Sequence, residues 1–138
     1  MSEKMTLTRK VSGRVFTVEL PAEREEETGQ LAVHIDVAQA GELAIAAALA
    51  LEGPADGASF RFMRTTLGLR AADLAGWLDV RAETLSRWET AERDVDRTAW
   101  LALGTLVLER LGRATELQVR MQRLAEGVKP AREARISL

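Results

Sequence analysis

The chain contains no cysteine and a single histidine, His34. Without thiols there is no disulfide, no thiolate metal site and no cysteine nucleophile. No second His, no Cys and no paired acid supports His34 as a ligand or a base, so it reads as a strand-surface residue. A Gly-x-Ser-x-Gly turn, a phosphate-binding loop and a His–acid pair are missing too. An enzyme is therefore not expected, and neither a cofactor nor a metal is called for. The segment Ala44–Leu51 is too short to span a bilayer, and the opening MSEKMTLTRK lacks the apolar core of a secretory signal. A cysteine-free, untargeted chain is expected in a reducing cytoplasm.

An excess of positive charge is also lacking, with 19 Lys+Arg against 21 Asp+Glu. Residues 1–59 hold 5 basic and 10 acidic side chains, residues 60–97 hold 7 of each, and residues 98–138 hold 7 and 4. Nonspecific nucleic-acid binding is thus disfavoured, and any DNA contact must rest on a local patch and fall steeply with salt.

What is present is concentrated between Phe60 and Trp100. Phe60, Met63 and Leu67 recur at helical spacing, and Gly68 is placed to end that helix. Leu74, Ala75 and Leu78 form one face of a short helix beginning near Ala71. Asp79-Val80-Arg81 breaks the pattern: Asp79 tolerates a turn, and Val80 points inward as the chain changes direction. A second short helix follows with Leu85 and Trp88 inward and Ala82, Glu83, Thr84 and Arg87 outward. Trp100, Leu101, Leu103, Leu106, Val107, Leu108 and Leu111 mark a strongly apolar helix. Trp88 and Trp100 have core phase, whereas Trp77 falls toward a partly exposed position.

These residues resemble the Xre/Cro type of helix-turn-helix repressor. The resemblance rests on Arg64, Leu67-Gly68-Leu69, Asp73-Leu74-Ala75, Leu78 with Val80, Thr84-Leu85-Ser86-Arg87-Trp88-Glu89, and Arg93, over about 40 residues. Four positions depart from the family pattern. Asp79 replaces the turn glycine, Arg81 the N-cap serine, Ala71 a phosphate-binding glutamine, and Ala91 the glycine after the second helix. The resemblance implies that the second helix enters a DNA major groove. Ala82, Glu83, Thr84 and Arg87 are then the base readers. The Arg87 fork on guanine O6 and N7 would contribute about 1–3 kcal/mol of discrimination. Arg64, Arg70, Arg81 and Arg93 are placed to hold phosphates. For each arginine the alternative is a solvated charge or an ion pair with a neighbouring acid.

The first 59 residues read differently. Val11–Leu20 and Leu31–Val37 alternate as two strands of a small ribbon, joined by the acidic loop Pro21–Gln30. The run Glu23–Glu27 reads as solvated loop. Ala38–Leu51 is helical, and Gly53-Pro54 stops it. A β unit, a helix, a Gly-Pro linker and a helix-turn-helix together resemble the MqsA/YgiT type of antitoxin. That family builds its N-terminal unit around zinc on two Cys-x-x-Cys pairs, and this chain has none.

The expected fold is mainly α with a small N-terminal β unit (α+β), a helical bundle containing a helix-turn-helix. Three units follow: 1–52, 58–112 and 113–138. In the last, Ala114–Glu126 is expected to pair with its copy through Leu117, Met121 and Leu124, or else to pack back on its own bundle. A two-fold dimer would set two reading helices roughly 34 Å apart on a palindromic site. The tail Val128–Leu138 is expected to be mobile, with Lys129, Arg132 and Arg135 adding phosphate contacts. Two functions remain open. One is a dimeric regulator of double-stranded DNA, antitoxin-like and repressing its own operon. The other is a protein-interaction module that binds a toxin or a transcription component.

Overall fold

The computed structural model describes residues 3–138, and in them the chain is α+β and mainly helical. Strands β1 (Glu3–Val11) and β2 (Arg14–Arg24) form an antiparallel hairpin, with Val11 opposite Arg14. The turn is Ser12-Gly13, at φ 50° and 77°. Positive φ at both central residues matches the right-handed twist of the strands; Gly13 supplies it cheaply, and Ser12 bears the cost of a left-handed residue with a Cβ. The single strand expected over Val11–Leu20 is therefore two strands meeting at Val11–Arg14. β1 left little trace in the sequence because most of its residues are Lys, Arg, Thr or Glu, its apolar Met5 is exposed, and only Val11 is buried.

On β2 the alternation is strict: Arg14, Phe16, Val18 and Leu20 are buried, with half-buried residues between them. β2 runs on to Arg24, so part of the expected loop is strand. The second expected strand shrinks to β3 (Leu31–Ala32), which pairs antiparallel with Arg24 and Glu23 at the end of β2 and goes no further. Helix α1 (Ile35–Glu52) begins there instead, with Asp36 in its first turn against the positive end of the helix dipole. His34 is thus the exposed residue before a helix, 3.5 Å from the Glu23 carboxylate, and not a strand residue.

Helix α2 (Gly57–Thr66) is capped by Asp56, which accepts from Ser59 N at 3.0 Å, and α5 (Arg97–Arg110) is capped by Asp96 on Ala99 N at 3.0 Å. Between them lie α3 (Ala71–Trp77) and α4 (Ala82–Glu89). α1 packs on α5, on α2 and on the inner face of β2. One core runs through the first two sequence units, from Phe16 and Val18 through Ile45, Leu49, Phe60 and Leu74 to Trp100 and Leu108, and Leu124, Ala134 and Ile136 of the third pack against it.

One correction concerns the end of the chain. The tail is not free: β4 (Glu133–Ser137) pairs parallel with β2, Glu133 opposite Val15 and Ser137 opposite Glu19. Only two of its residues, Ala134 and Ile136, pack inward, so alone it carries no strand pattern; the edge of β2 supplies its hydrogen bonds. Helix α6 (Leu117–Glu126) packs back on α5 and α1. Its Arg120 is buried to 2 % exposure among oxygen acceptors. Nε donates to Ala50 O at 3.0 Å, Nη2 to Leu101 O at 3.0 Å, and Nη1 to Thr105 Oγ1 at 3.1 Å and Thr115 O at 3.3 Å.

The Ala50 carbonyl lies in the last turn of α1, and its ordinary helical donor would be residue 54. That residue is Pro54, which has no N–H, so Arg120 supplies the missing proton. α1 has no basic residue of its own in its last turn. Arg14 brings a second cation: Nη1 donates to Gly53 O at 2.6 Å and Nε to Ala131 O at 2.7 Å. Two guanidiniums from opposite ends of the chain thus offset the negative end of one helix dipole.

Candidate nucleic-acid interface

Four helices end in the same way, and that ending sets the angle between α3 and α4. After α3, Asp79 N bonds Gly76 O at 3.2 Å and Val80 N bonds Ala75 O at 3.0 Å. After α4, Ala91 N bonds Trp88 O at 3.1 Å and Glu92 N bonds Arg87 O at 2.9 Å. α2 and α5 close with the same bond pair at Gly68 and Gly112. This double cap needs a left-handed residue just past the helix, and glycine is its usual occupant. Here Asp79 and Ala91 adopt it at φ 55° and 63°. Both glycine departures thus keep the glycine geometry, at a conformational cost that Asp bears better than Ala. Ala91→Gly is expected to raise stability by about 1 kcal/mol, less what the looser unfolded chain returns, as read from the urea midpoint.

α4 is seated by its inner residues. Leu85 is fully buried and Trp88 nearly so, with the Trp88 ring meeting Phe60 edge-to-face at 5.8 Å. Gly57 opens α2 directly beneath the end of α4, where a Cβ would overlap the Trp88 carbonyl. Arg64 of α2 then grips Glu89 with both prongs, Nε to Oε2 at 2.7 Å and Nη2 to Oε1 at 2.8 Å. Its third nitrogen, Nη1, donates to Leu69 O at 2.9 Å. Hydrogen bonding to Glu89 raises the Arg64 pKa further above its ordinary value. Arg64 is therefore spent on fixing α4 and is not free for a phosphate, which corrects its sequence assignment.

The outward side of α4 is uncovered. Ala82, Glu83, Ser86, Arg87 and Thr90 are exposed, forming two rows at helical spacing. Arg87 is 55 % exposed, and Glu92 forms a long ion pair with it at 3.9 Å from Nε. Thr84 is not on this side. It is half-buried and lines a small hollow with Leu78, Val80, Trp88 and Arg93. Ser86, passed over in the sequence reading, takes its place; spacing from Glu83 would have found it. Arg70 and Arg81 are the residues just before α3 and α4, and like Arg93 they are exposed and in no ion pair among the described residues. Asp73, Asp79, Glu83 and Glu92 share the exposed surface, so the local charge is mixed.

Trp77 projects from α3 at 65 % exposure. On α6, Leu117 and Met121 are exposed at 45 % and 52 %, one turn apart. Leu124 is turned toward its own core, which removes it from the expected dimer surface. Among the described residues no three His, Asp or Glu side chains gather as metal ligands, and no helix is long and apolar enough to cross a membrane. No family model matches this chain, and neither a curated protein nor a solved structure matches it.

Proposed function

We propose that this chain is a sequence-specific regulator of transcription that binds double-stranded DNA through the outer side of α4, as a cytoplasmic dimer that represses its own operon. The observation that carries this reading is the uncovered row of Glu83, Ser86 and Arg87 on a helix whose opposite side is locked by Leu85, Trp88 and the Arg64–Glu89 fork. A helix held this rigidly presents its side chains at fixed positions, which groove reading requires. Arg87 reads guanine, and Ser86 and Ala82 approach neighbouring bases. Arg70, Arg81 and Arg93 hold phosphates on either side. The Leu117–Met121 stripe pairs the two copies, so that a palindromic site meets two such helices.

A gel shift with the DNA upstream of the coding region tests this. The wild type gives a sequence-specific shift that weakens steeply with salt. Arg87→Ala loses the equivalent of about 1–3 kcal/mol on the preferred site and little on random DNA. Leu117→Glu abolishes the dimer and with it the tight shift.

The second reading, an antitoxin-like module that grips a toxin or a transcription component, is favoured by Trp77. An indole this exposed on a rigid helix, beside acids that repel phosphate, is the kind of residue that anchors protein interfaces. Absence of any shift at low salt, with the dimer intact, selects this reading.

A further inference from the structure

A hollow of about 220 Å³ lies between the end of α1, the Gly53–Ala55 joint, α6 and the segment Gly127–Pro130. Its apolar wall includes Leu51, Pro54, Trp100 and Leu124. Three cations, Arg120, Arg123 and Lys129, line it against a single carboxylate, Glu52. Arg120 has used its nitrogens on the carbonyl and hydroxyl oxygens described above, so it contributes charge alone. Arg123 is different: its Nε is buried and has no hydrogen-bond partner. Arg14 reaches the same floor through Gly53 O, and its Nη2 is also buried without a hydrogen bond, 3.7 Å from Glu52. Burial lowers the pKa of Arg14, the nearby Glu52 carboxylate opposes the shift, and the charge of Arg123 adds least to it. A buried guanidinium N–H without an acceptor, Arg123 Nε, in a half-apolar cleft lined by three cations and one acid, is a costly arrangement when left unpaired.

We infer that this hollow binds a small organic anion, a carboxylate or phosphate group on an apolar body. The anionic group accepts from Arg123 Nε and is drawn in by Lys129. The apolar body lies against Trp100, Leu124 and Pro54. The volume limits the ligand to roughly the size of a substituted benzene ring. The site involves no residue of the α4 surface, so it stands whether or not α4 binds DNA. Its walls are the α1–α2 joint and the segment leading into β4, so an occupied hollow also fixes the tail.

Benzoate and phenyl phosphate serve as probes, with benzamide as the uncharged match, in a titration followed by the arginine Nε–H and Trp indole N–H resonances. Both anions are expected to move the Arg123 Nε–H and Trp100 resonances saturably, with a millimolar or tighter midpoint, while benzamide leaves them in place. Arg123→Gln weakens binding, read at Trp100, at least tenfold. Lys129→Gln, on the exposed rim, weakens it severalfold and keeps the test valid if the first variant does not fold. Three outcomes overturn the proposal. These are linear, unsaturable shifts with both anions, an equal response to benzamide, and an unchanged midpoint in the variants that fold.

Discussion

Arg120→Met is expected to lower the unfolding free energy by about 3–5 kcal/mol, the largest loss available from a single exchange outside the aromatic core. Methionine matches much of the volume but leaves the Ala50 carbonyl with no donor, because Pro54 cannot serve it. Thr105 Oγ1 and the Thr115 carbonyl lose their donor as well. The bonds here are charge-assisted, and the guanidinium is held by dipoles without a carboxylate in contact. Burial lowers the Arg120 pKa, with the charge of Glu116 opposing the shift, so the surrounding oxygens carry the task of keeping the cation dissolved in protein. Arg120→Lys restores the charge but not the planar fork and recovers less than half of the loss. Gly104→Ala strikes the same place from the other side, since a Cβ there would overlap Nη2 of Arg120. Urea denaturation and amide exchange in α6 check both. If α6 stays protected in Arg120→Met, the guanidinium does not hold it.

The second large effect concerns the Arg64–Glu89 fork. The two side chains are only 13 % and 9 % exposed, so the pair is far less screened than a surface bridge. Removing either partner leaves an uncompensated charge in a dry place, and we expect Arg64→Ala or Glu89→Ala to cost about 3 kcal/mol. The double variant costs less than the sum of the singles, because neither charge then remains stranded. A coupling energy near zero in the double-mutant cycle would show that the fork is not holding α4. The same cycle separates holding from reading. Arg64→Ala, tested where it is still folded, weakens DNA binding on all sequences together, whereas Arg87→Ala erodes preference at one base pair.

The middle of the chain was legible because its apolar residues repeat at helical spacing and its breaks carry turn chemistry. Phe60, Met63, Leu74, Leu85, Trp88 and Trp100 are all in the core, and Gly68, Asp79 and Gly112 all take the left-handed conformation that ends a helix. The outward side of α4 followed from the same period, apart from Thr84, which sits at its margin and turned out half-buried. What stayed hidden depends on partners remote in sequence. Arg64 gave no hint that Glu89 would meet it, and Arg120 looked like one polar residue among several on an amphipathic helix. β4 contains a Glu, an Arg and a Ser among its five residues, and only the waiting edge of β2 makes it a strand. Leu31–Val37 misled in the opposite direction. Its alternation is real, but a strand needs a neighbour, and most of the segment has none.

The parallel pairing of Glu133 with Val15 has a bearing on how the molecule is made. A ribosome delivers β2 well before β4, with helices α1 to α6 in between. Until β4 emerges, one flank of β2 carries backbone N–H and C=O groups that only a stranger or water can satisfy. Closing so long a loop is entropically slow, so β4 docks after the helices have assembled.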